Sequence, residues 1–523
     1  MAGRAALQRV LALSAQGAAA TGPSSRVFGG AVAPRAHLLG LSHGAASVAA
    51  TSQWRQFVGA ATRSALPAGV GASVAAAAAA PTRAVSRGFA ASATPLRAAV
   101  RAPCAPAVLP SAASASHAAR DARISATQAY SSAAASSAAP FSHALVTSPA
   151  AQRAVGAWLF GGAAWVFSMV VLGGVTRLTR SGLSMTDWKF TGETAPRTQA
   201  DWDAEFAKYR ASPEFQKVNR SMTLEEFKFI FWMEYAHRMW GRVLGIYFAL
   251  PVAYFAARGY VTGALGRRLA LLFAAGGSQG LVGWWMVKSG LEQPRSEHDV
   301  PRVSPYRLAT HLSTAFAIYA AILWTALSVR WPTPPLAAEG LTPERIARAL
   351  ALRTRAHPLA GLIALTAVSG AFVAGLDAGH AYNTFPLMGG HVIPEEYWDA
   401  SLPAWRNALE NTAAVQFHHR VLALSTLGAV GGTWAGAFAA TAAPLPAAVA
   451  AATHALFAAA AGQVTLGIAT LLNCVPVWLG AAHQAGALTL FSVALVLLHT
   501  LRAPPAVKAK ARTAVAHAAA KLA

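Results

Sequence analysis

The stretch EYAHRMWGRVLG, residues 234–245, opens an apolar segment long enough to cross a bilayer, yet it carries ionisable side chains in its first turns. Glu234 and His237 are three residues apart, so a helix places them on one face. Ionisable groups at membrane depth are costly and by default mark function. A second stretch, QFHHRVLALSTLG at residues 416–428, repeats the pattern with an amide in place of the carboxylate. Two histidine-bearing helix starts therefore organise the chain.

The composition is that of a polytopic membrane protein. Of 523 residues, 55% are hydrophobic and only 12% are charged, which argues against a soluble globule. The formal net charge of +23 does not indicate nucleic-acid binding, because residues 1–150 alone hold 12 Arg against one acid, Asp121. The two cysteines are Cys104 and Cys474. Only the second lies outside that leader, so neither an intrachain disulfide nor a CxxC motif is expected in the mature chain.

Residues 1–150 have the composition of a targeting segment. They are rich in Ala, Ser and Arg, contain no Lys, and lack a continuous apolar span. This pattern is typical of an organellar transit peptide, although a disordered Ala/Ser tail has a similar composition. We expect a mitochondrial transit and low-complexity region without fixed structure.

The rest of the chain contains eight apolar runs of about 20 residues, the length that crosses a bilayer as a helix. We predict an all-α polytopic membrane protein with eight transmembrane helices. The predicted spans are residues 155–175, 229–256, 268–287, 306–330, 357–376, 413–440, 446–472 and 478–501.

The charge of the loops predicts the orientation. Arg residues cluster in alternate loops, whereas the 176–228 loop is of mixed sign and the 377–412 loop is acidic. By the positive-inside rule, both termini face the matrix and these two loops lie outside. Segment 336–356 is predicted to be a linker helix along the inner surface, and residues 503–523 a basic matrix tail.

The second half repeats the first in the same orientation, so we predict two tandem four-helix bundles at residues 151–335 and 357–502. QGLVG in the third span matches QVTLG in the seventh. The end of the first span, from Gly174, matches that of the fifth, from Gly370.

Four histidines occupy equivalent places near the starts of the even-numbered spans. A pair from two helices of one bundle suits two imidazole ligands to one haem iron. The predicted ligands are His237 and His311 in the first half, and His419 and His483 in the second. Propionate contacts are predicted for Arg238, Arg242 and Arg420, and haem packing for Gln279, Gly283, Gln463 and Gly467.

Three other interpretations compete with this one. A membrane histidine is often a hydrogen-bonded packing residue. Histidines with carboxylates also coordinate transported zinc or copper, but here one carboxylate serves four histidines. A di-haem b-type electron-transfer cytochrome would place its haems near opposite faces, whereas these pairs lie at one depth.

Glu234 breaks the symmetry of the two halves, because its counterpart is the neutral Gln416. A buried carboxylate beside a haem can accept protons or orient water, although it can also simply pair with a neighbouring Arg. We expect catalysis in the first half and a structural or electron-relay haem in the second.

The motifs GGVTRLTRSGLS, EYAHRMWGR, MVKSGL, VSPYRLATHL, NTFPLMGG, ENTAAVQFHHR and AAHQAG together resemble haem A synthase of the mitochondrial type. The resemblance covers residues 155 to 501. It implies an inner-membrane oxidoreductase that converts the C8 methyl of haem O to a formyl group, giving haem A for cytochrome c oxidase. It places the family's glutamate on Glu234, the substrate haem on the first histidine pair and haem b on the second.

The resemblance also implies partners. These are haem O as substrate, a haem O synthase, a ferredoxin-type electron donor and the lipid bilayer, with no nucleic acid; a homo-oligomer is compatible with it. Many bacterial members carry a cysteine pair in the loop after the first span. Residues 176–228 contain none here, so no thiol step is available at that place.

The leader yields the first testable prediction. The organelle-resident protein should begin well after Met1 and before the first span, near residue 150, because a transit peptide is removed on import. N-terminal sequencing of the protein from isolated mitochondria checks this, and finding Met1 on that protein would contradict it.

Overall fold

The computed structural model of the protein describes residues 145–189, 191–293, 300–338, 340–438 and 443–522. The predicted transit region therefore lies outside the described residues up to residue 144, as do residues 439 and 440 of the predicted sixth span. Within the described residues, eight helices are long and apolar enough to cross a membrane. The prediction of an all-α protein with eight spans is confirmed.

The eight spans are joined by shorter helices outside the apolar windows. The spans are α1 (Pro149–Leu178), α4 (Leu224–Ala257), α5 (Gly263–Leu291), α6 (Pro305–Arg330), α7 (Pro343–Gly375), α9 (Thr412–Phe438), α10 (Ala447–Leu472) and α11 (Val477–Thr500). The others are α2 (Gln199–Arg210), α3 (Pro213–Lys217), α8 (Ala404–Glu410) and α12 (Pro505–Leu522).

Local sequence fixes where several spans begin. Helix α1 starts with Ser148 as N-cap, whose hydroxyl accepts from the Ala151 amide, followed by proline. Helix α4 starts with a capping box in which Thr223 and Glu226 satisfy each other's backbone amides. Such caps satisfy amides that have no partner inside the helix. They place the helix starts at the edge of the apolar windows.

Each half forms a ring of four helices. In the first half α1 packs against α4 and α6, and α5 closes the ring by contacting α4 and α6. In the second half α7, α9, α10 and α11 make the equivalent contacts. The two rings meet where α1 packs on α11 and α6 on α7, with α6 also touching α11. This arrangement is the two tandem, same-orientation bundles that the repeat predicts.

Polar side chains connect the two rings inside the apolar interface. The Tyr319 hydroxyl and the Ser492 hydroxyl are 2.7 Å apart across α6 and α11. The Gln484 amide on α11 donates to the Val170 carbonyl on α1 at 2.9 Å. At the end of α1, Arg177 pairs with Asp377 of the second half at 2.9 Å. The two hydroxyls and the Gln484 amide are thus paired within the protein, as the bilayer interior requires.

The structure joins two elements that the sequence analysis separates. The predicted linker helix and the fifth span are one continuous helix, α7, which passes through Pro358. A proline within a helix removes one backbone hydrogen bond, and neighbouring helices make that tolerable in membranes. Residues 343–356 of the predicted linker are therefore an N-terminal extension of the fifth span.

An aromatic cap covers the end of the first half at which α1 ends and α4 begins. Helices α2 and α3 lie in the loop before α4, whose first turns extend past the predicted span. The cap core is built from Met185, Trp202, Tyr209, Phe227, Ile230 and Phe231, all buried. Helices α2 and α3 therefore form part of a layer that packs on α4.

Glu214 is a buried carboxylate in this cap, outside the membrane spans. The Tyr209 hydroxyl donates to its Oε2 at 3.1 Å, and Asn219 donates to the same tyrosine oxygen at 2.7 Å. Burial raises the pKa of Glu214 to about 7, and the nearby Glu234 charge acts in the same direction. This rise in pKa is opposed by the hydrogen bond from Tyr209 and by the positive charges of Arg180 and Arg177.

This shift gives the cap a pH dependence. Because the folded pKa is above the ordinary value of 4.5, folding favours protonated Glu214. The contribution of protonated Glu214 to the stability of the folded cap is complete below pH 4.5 and is lost as pH rises through about 7. Hydrogen exchange of residues 199–217, corrected for intrinsic rates, should be faster at pH 8 than at pH 5. Glu214→Gln should abolish this difference while the exposed control Glu225→Gln keeps it; an equal difference in both variants would refute the assignment.

Candidate functional site

Each of the four predicted histidines lies against a glycine of the preceding helix. A Cβ built on Gly173 would be 3.1 Å from His237 Cε1, and one on Gly370 would be 3.1 Å from His419 Cε1. The corresponding distances are 3.0 Å from Gly283 to His311 and 2.8 Å from Gly467 to His483. All four glycines lie in the last turns of odd-numbered spans. The histidines therefore lie towards the end of each bundle at which the odd-numbered spans finish.

The second-half pair has the separation that a shared iron needs. The ring centroids of His419 and His483 are 6.5 Å apart and the ring planes are perpendicular. Two metal–nitrogen bonds of about 2 Å each, plus about 1 Å from each nitrogen to its ring centre, span about 6 Å. The pair therefore fits a single bis-histidine-ligated iron.

The rings of this pair are also oriented by neighbouring polar groups. His419 Nδ1 lies 2.7 Å from the Ser369 hydroxyl. His483 Nδ1 lies 3.1 Å from Gln463 Nε2, which donates to the His483 carbonyl at 2.9 Å. In both residues the contact is made at Nδ1.

The first-half pair lacks such contacts. Among the described residues, neither His237 Nδ1 nor His311 Nδ1 has a hydrogen-bond partner, although both atoms are buried. Gln279 donates to the His311 carbonyl at 2.7 Å, but its oxygen accepts from Thr314 at 2.6 Å. The predicted haem-packing glutamines thus hold the backbone of a histidine in each half.

Glu234 is 2% exposed, and both of its carboxylate oxygens accept hydrogen bonds. Its Oε2 accepts from the Ser184 hydroxyl at 2.7 Å and from the Met185 amide at 2.9 Å. Its Oε1 accepts from Arg238 Nη2 at 2.7 Å and Nε at 3.1 Å. Arg238 also donates to the carbonyls of Met185 and Asp187. The pair compensates a buried charge and fastens the loop after α1 onto α4.

In the second half an amide and an arginine hold the corresponding loop, with no acid; we call this arrangement in either half a loop clamp. Gln416 and Arg420 both donate to the Tyr382 carbonyl, at 3.1 and 2.9 Å. Arg242, in the first half, donates to the Lys189 carbonyl at 2.7 Å. The three arginines predicted to meet propionates thus all hold outer-loop carbonyls, and their propionate contacts stay a prediction.

The histidines outside the four have ordinary partners. His418 Nε2 is 3.0 Å from the Tyr397 hydroxyl, and His454 accepts from Trp434 at 2.9 Å. His499 packs edge-on against Trp324. Within the described part of the chain, no three His, Cys, Asp or Glu side chains come together as a metal site. This geometry offers nothing to the metal-transport alternative.

The structure shows residues that sequence reasoning missed. Gly173, not Gly174, is the counterpart of Gly370, because each accommodates a histidine ring, whereas Gly174 faces the Gln484 side chain. The repeat register quoted from Gly174 is therefore wrong by one residue. Ser184 and Ser369 were also missed, since a single serine in an apolar run carries no signal until its partner is known.

The fold and the site define a multi-pass membrane protein made of two four-helix bundles, each with two histidines that lie against glycines of neighbouring spans. The model of the COX15-CtaA family, described as cytochrome oxidase assembly protein, matches residues 156–495. The chain belongs to this family.

Relatives of known name agree with that assignment. Heme A synthase COX15 of Arabidopsis thaliana is 58% identical over 356 residues, covering 68% of this chain and 76% of that protein. Heme A synthase COX15 of Homo sapiens is 49% identical over 359 residues, covering 68% and 85%. Heme A synthase of Rhodospirillum centenum is 48% identical over 370 residues, covering 68% and 91%.

The glycine contacts give a prediction about ligand placement. Gly467→Ala should displace the His483 ring, because the new Cβ would lie 2.8 Å from Cε1, and so weaken a low-spin haem spectrum. Gly462→Ala on the same helix is the matched control, since no atom lies within 4 Å of its Cβ. Absorption spectra of the two purified variants check this. Equal, wild-type spectra would show that Gly467 does not set the ring position.

Proposed function

We propose that this chain is a haem A synthase, a membrane oxidoreductase that converts haem O to haem A for cytochrome c oxidase. The observation that carries the proposal is the duplicated pair of histidines, each set against a glycine of the neighbouring span. The names of its relatives support the same activity. The substrate would occupy the first half and haem b the second.

His419 and His483 would hold haem b, and the 6.5 Å separation of their rings supports this. A bound haem supplies one-electron chemistry. His237 and His311 would hold the haem O whose C8 methyl is oxidised. Arg238 and Arg420 directly follow His237 and His419 in the chain, and Arg242 follows His237 by five residues. The propionates would be met by these arginines.

Glu234 would take up the proton released from the substrate. All its acceptor positions are filled, so one bond must be exchanged first. The Ser184 hydroxyl can do this, because it reaches both Glu234 Oε2 at 2.7 Å and the Ile230 carbonyl at 3.2 Å. Turning its hydrogen to Ile230 frees one acceptor position on Oε2, while the Met185 amide still donates to that oxygen and Arg238 to the other.

The location proposed is the mitochondrial inner membrane. Both termini would lie in the matrix and the histidine level near the intermembrane space, as the positive-inside rule requires. A haem O synthase would deliver the substrate, and a ferredoxin-type protein would supply electrons.

Glu234→Gln tests the catalytic assignment. The variant should fold, because the second half already builds the same loop clamp from Gln416 and Arg420. It should retain haem b and stop making haem A, so that haem O or a partly oxidised form accumulates. Expression in a host that makes haem O but no haem A, followed by haem extraction and chromatography, measures this.

The outcomes separate catalysis from folding. Haem A at the wild-type rate from Glu234→Gln would make Glu234 structural. Arg238→Gln is the companion variant, since it breaks the same ion pair but leaves the carboxylate. Loss of haem A in the first variant with substantial retention in the second identifies the carboxylate as the group required.

A further inference from the structure

We infer that Ser369 is a positioning residue that fixes the His419 ring for permanent haem ligation. In the first half the equivalent residue is Leu172, which leaves the His237 ring without an anchor, so that this half can exchange its haem. This inference rests on the proposed function. It adds a structural reason why two similar bundles would treat the same kind of ligand differently.

The two hydrogen bonds of the Ser369 hydroxyl set the tautomer of His419. The serine hydroxyl donates to the Thr366 carbonyl at 2.7 Å. A hydroxyl has one hydrogen, so its oxygen meets His419 Nδ1, also 2.7 Å away, as an acceptor. Nδ1 then carries the ring proton, and Nε2 keeps the lone pair that a metal binds. Gly370 packs against the other side of the same ring at 3.1 Å from Cε1.

The first half is built alike except at this position. Gly173 meets His237 with the same distances to Cε1, Nε2 and Nδ1 as Gly370 makes to His419, namely 3.1, 3.7 and 3.8 Å. The residue before each glycine is therefore equivalent, Leu172 in one half and Ser369 in the other. Leucine offers no acceptor, and His237 Nδ1 is buried without a partner among the described residues.

An anchored imidazole is a stronger and better-oriented ligand. A hydrogen bond from the second ring nitrogen fixes the ring and raises ligand basicity, and its loss costs about 10–100-fold in metal affinity. A cofactor that stays bound benefits from this anchor. A site that must take up substrate and release product does not, since tight ligation would retain the product.

Two measurements on purified full-length protein carrying haem b test the role of Ser369. The first is the rate of haem transfer to excess apomyoglobin, which Ser369→Ala should increase by about 10–100-fold. The second is the midpoint potential, which should rise because a less basic ligand stabilises ferric iron less. Ser369→Thr, which keeps the hydroxyl, should restore both. Unchanged transfer rate and potential in Ser369→Ala would overturn the assignment.

The reciprocal variant keeps the inference testable even if Ser369→Ala does not accumulate. Leu172→Ser should give His237 the missing acceptor and slow the transfer of haem O from the first half to apomyoglobin, measured anaerobically without reductant. Unchanged release would refute the link between this position and haem exchange, while leaving the proposed function intact. Protein that binds no haem in either half would overturn both.

Discussion

The packing of an imidazole edge against a glycine is the contact on which the bundle interiors depend. It occurs four times, with Cβ-equivalent distances of 2.8 to 3.1 Å, and a larger residue at any of these glycines would push the ring into the bundle centre. Each contact joins the C-terminal part of an odd-numbered span to the N-terminal half of the next even-numbered span. It therefore fixes both the neighbour relations within a ring and the level of the histidines.

Duplication gives two similar sites, and the differences between them are concentrated in a few side chains. One half has Glu234 with Arg238, and the other has Gln416 with Arg420, yet both pairs fasten an outer loop. The acid thus adds charge to a clamp that already works with an amide. Its retention in a buried position, 2% exposed, is consistent with a chemical role in addition to the structural one.

Much of this architecture follows from the sequence, because its causes are local or periodic. Span lengths, the positions of the four histidines and the Glu–Gln difference are all read from apolar runs and the repeat. Other features depend on which helices meet. The Ser184 bond to Glu234 crosses a loop, and the Ser369 bond to His419 joins two spans. The one-residue register error at Gly174 arose because Gly173 and Gly174 are adjacent, and only packing shows which of them faces the ring.

The central claim is that the two histidine pairs hold different haems. Haem extraction and chromatography from two purified double variants test it most directly. The variant His237→Ala/His311→Ala should keep haem b and contain neither haem O nor haem A, while His419→Ala/His483→Ala should lose haem b. Haem b retained at wild-type level in the second variant, or lost in the first alone, would contradict the assignment of the two halves.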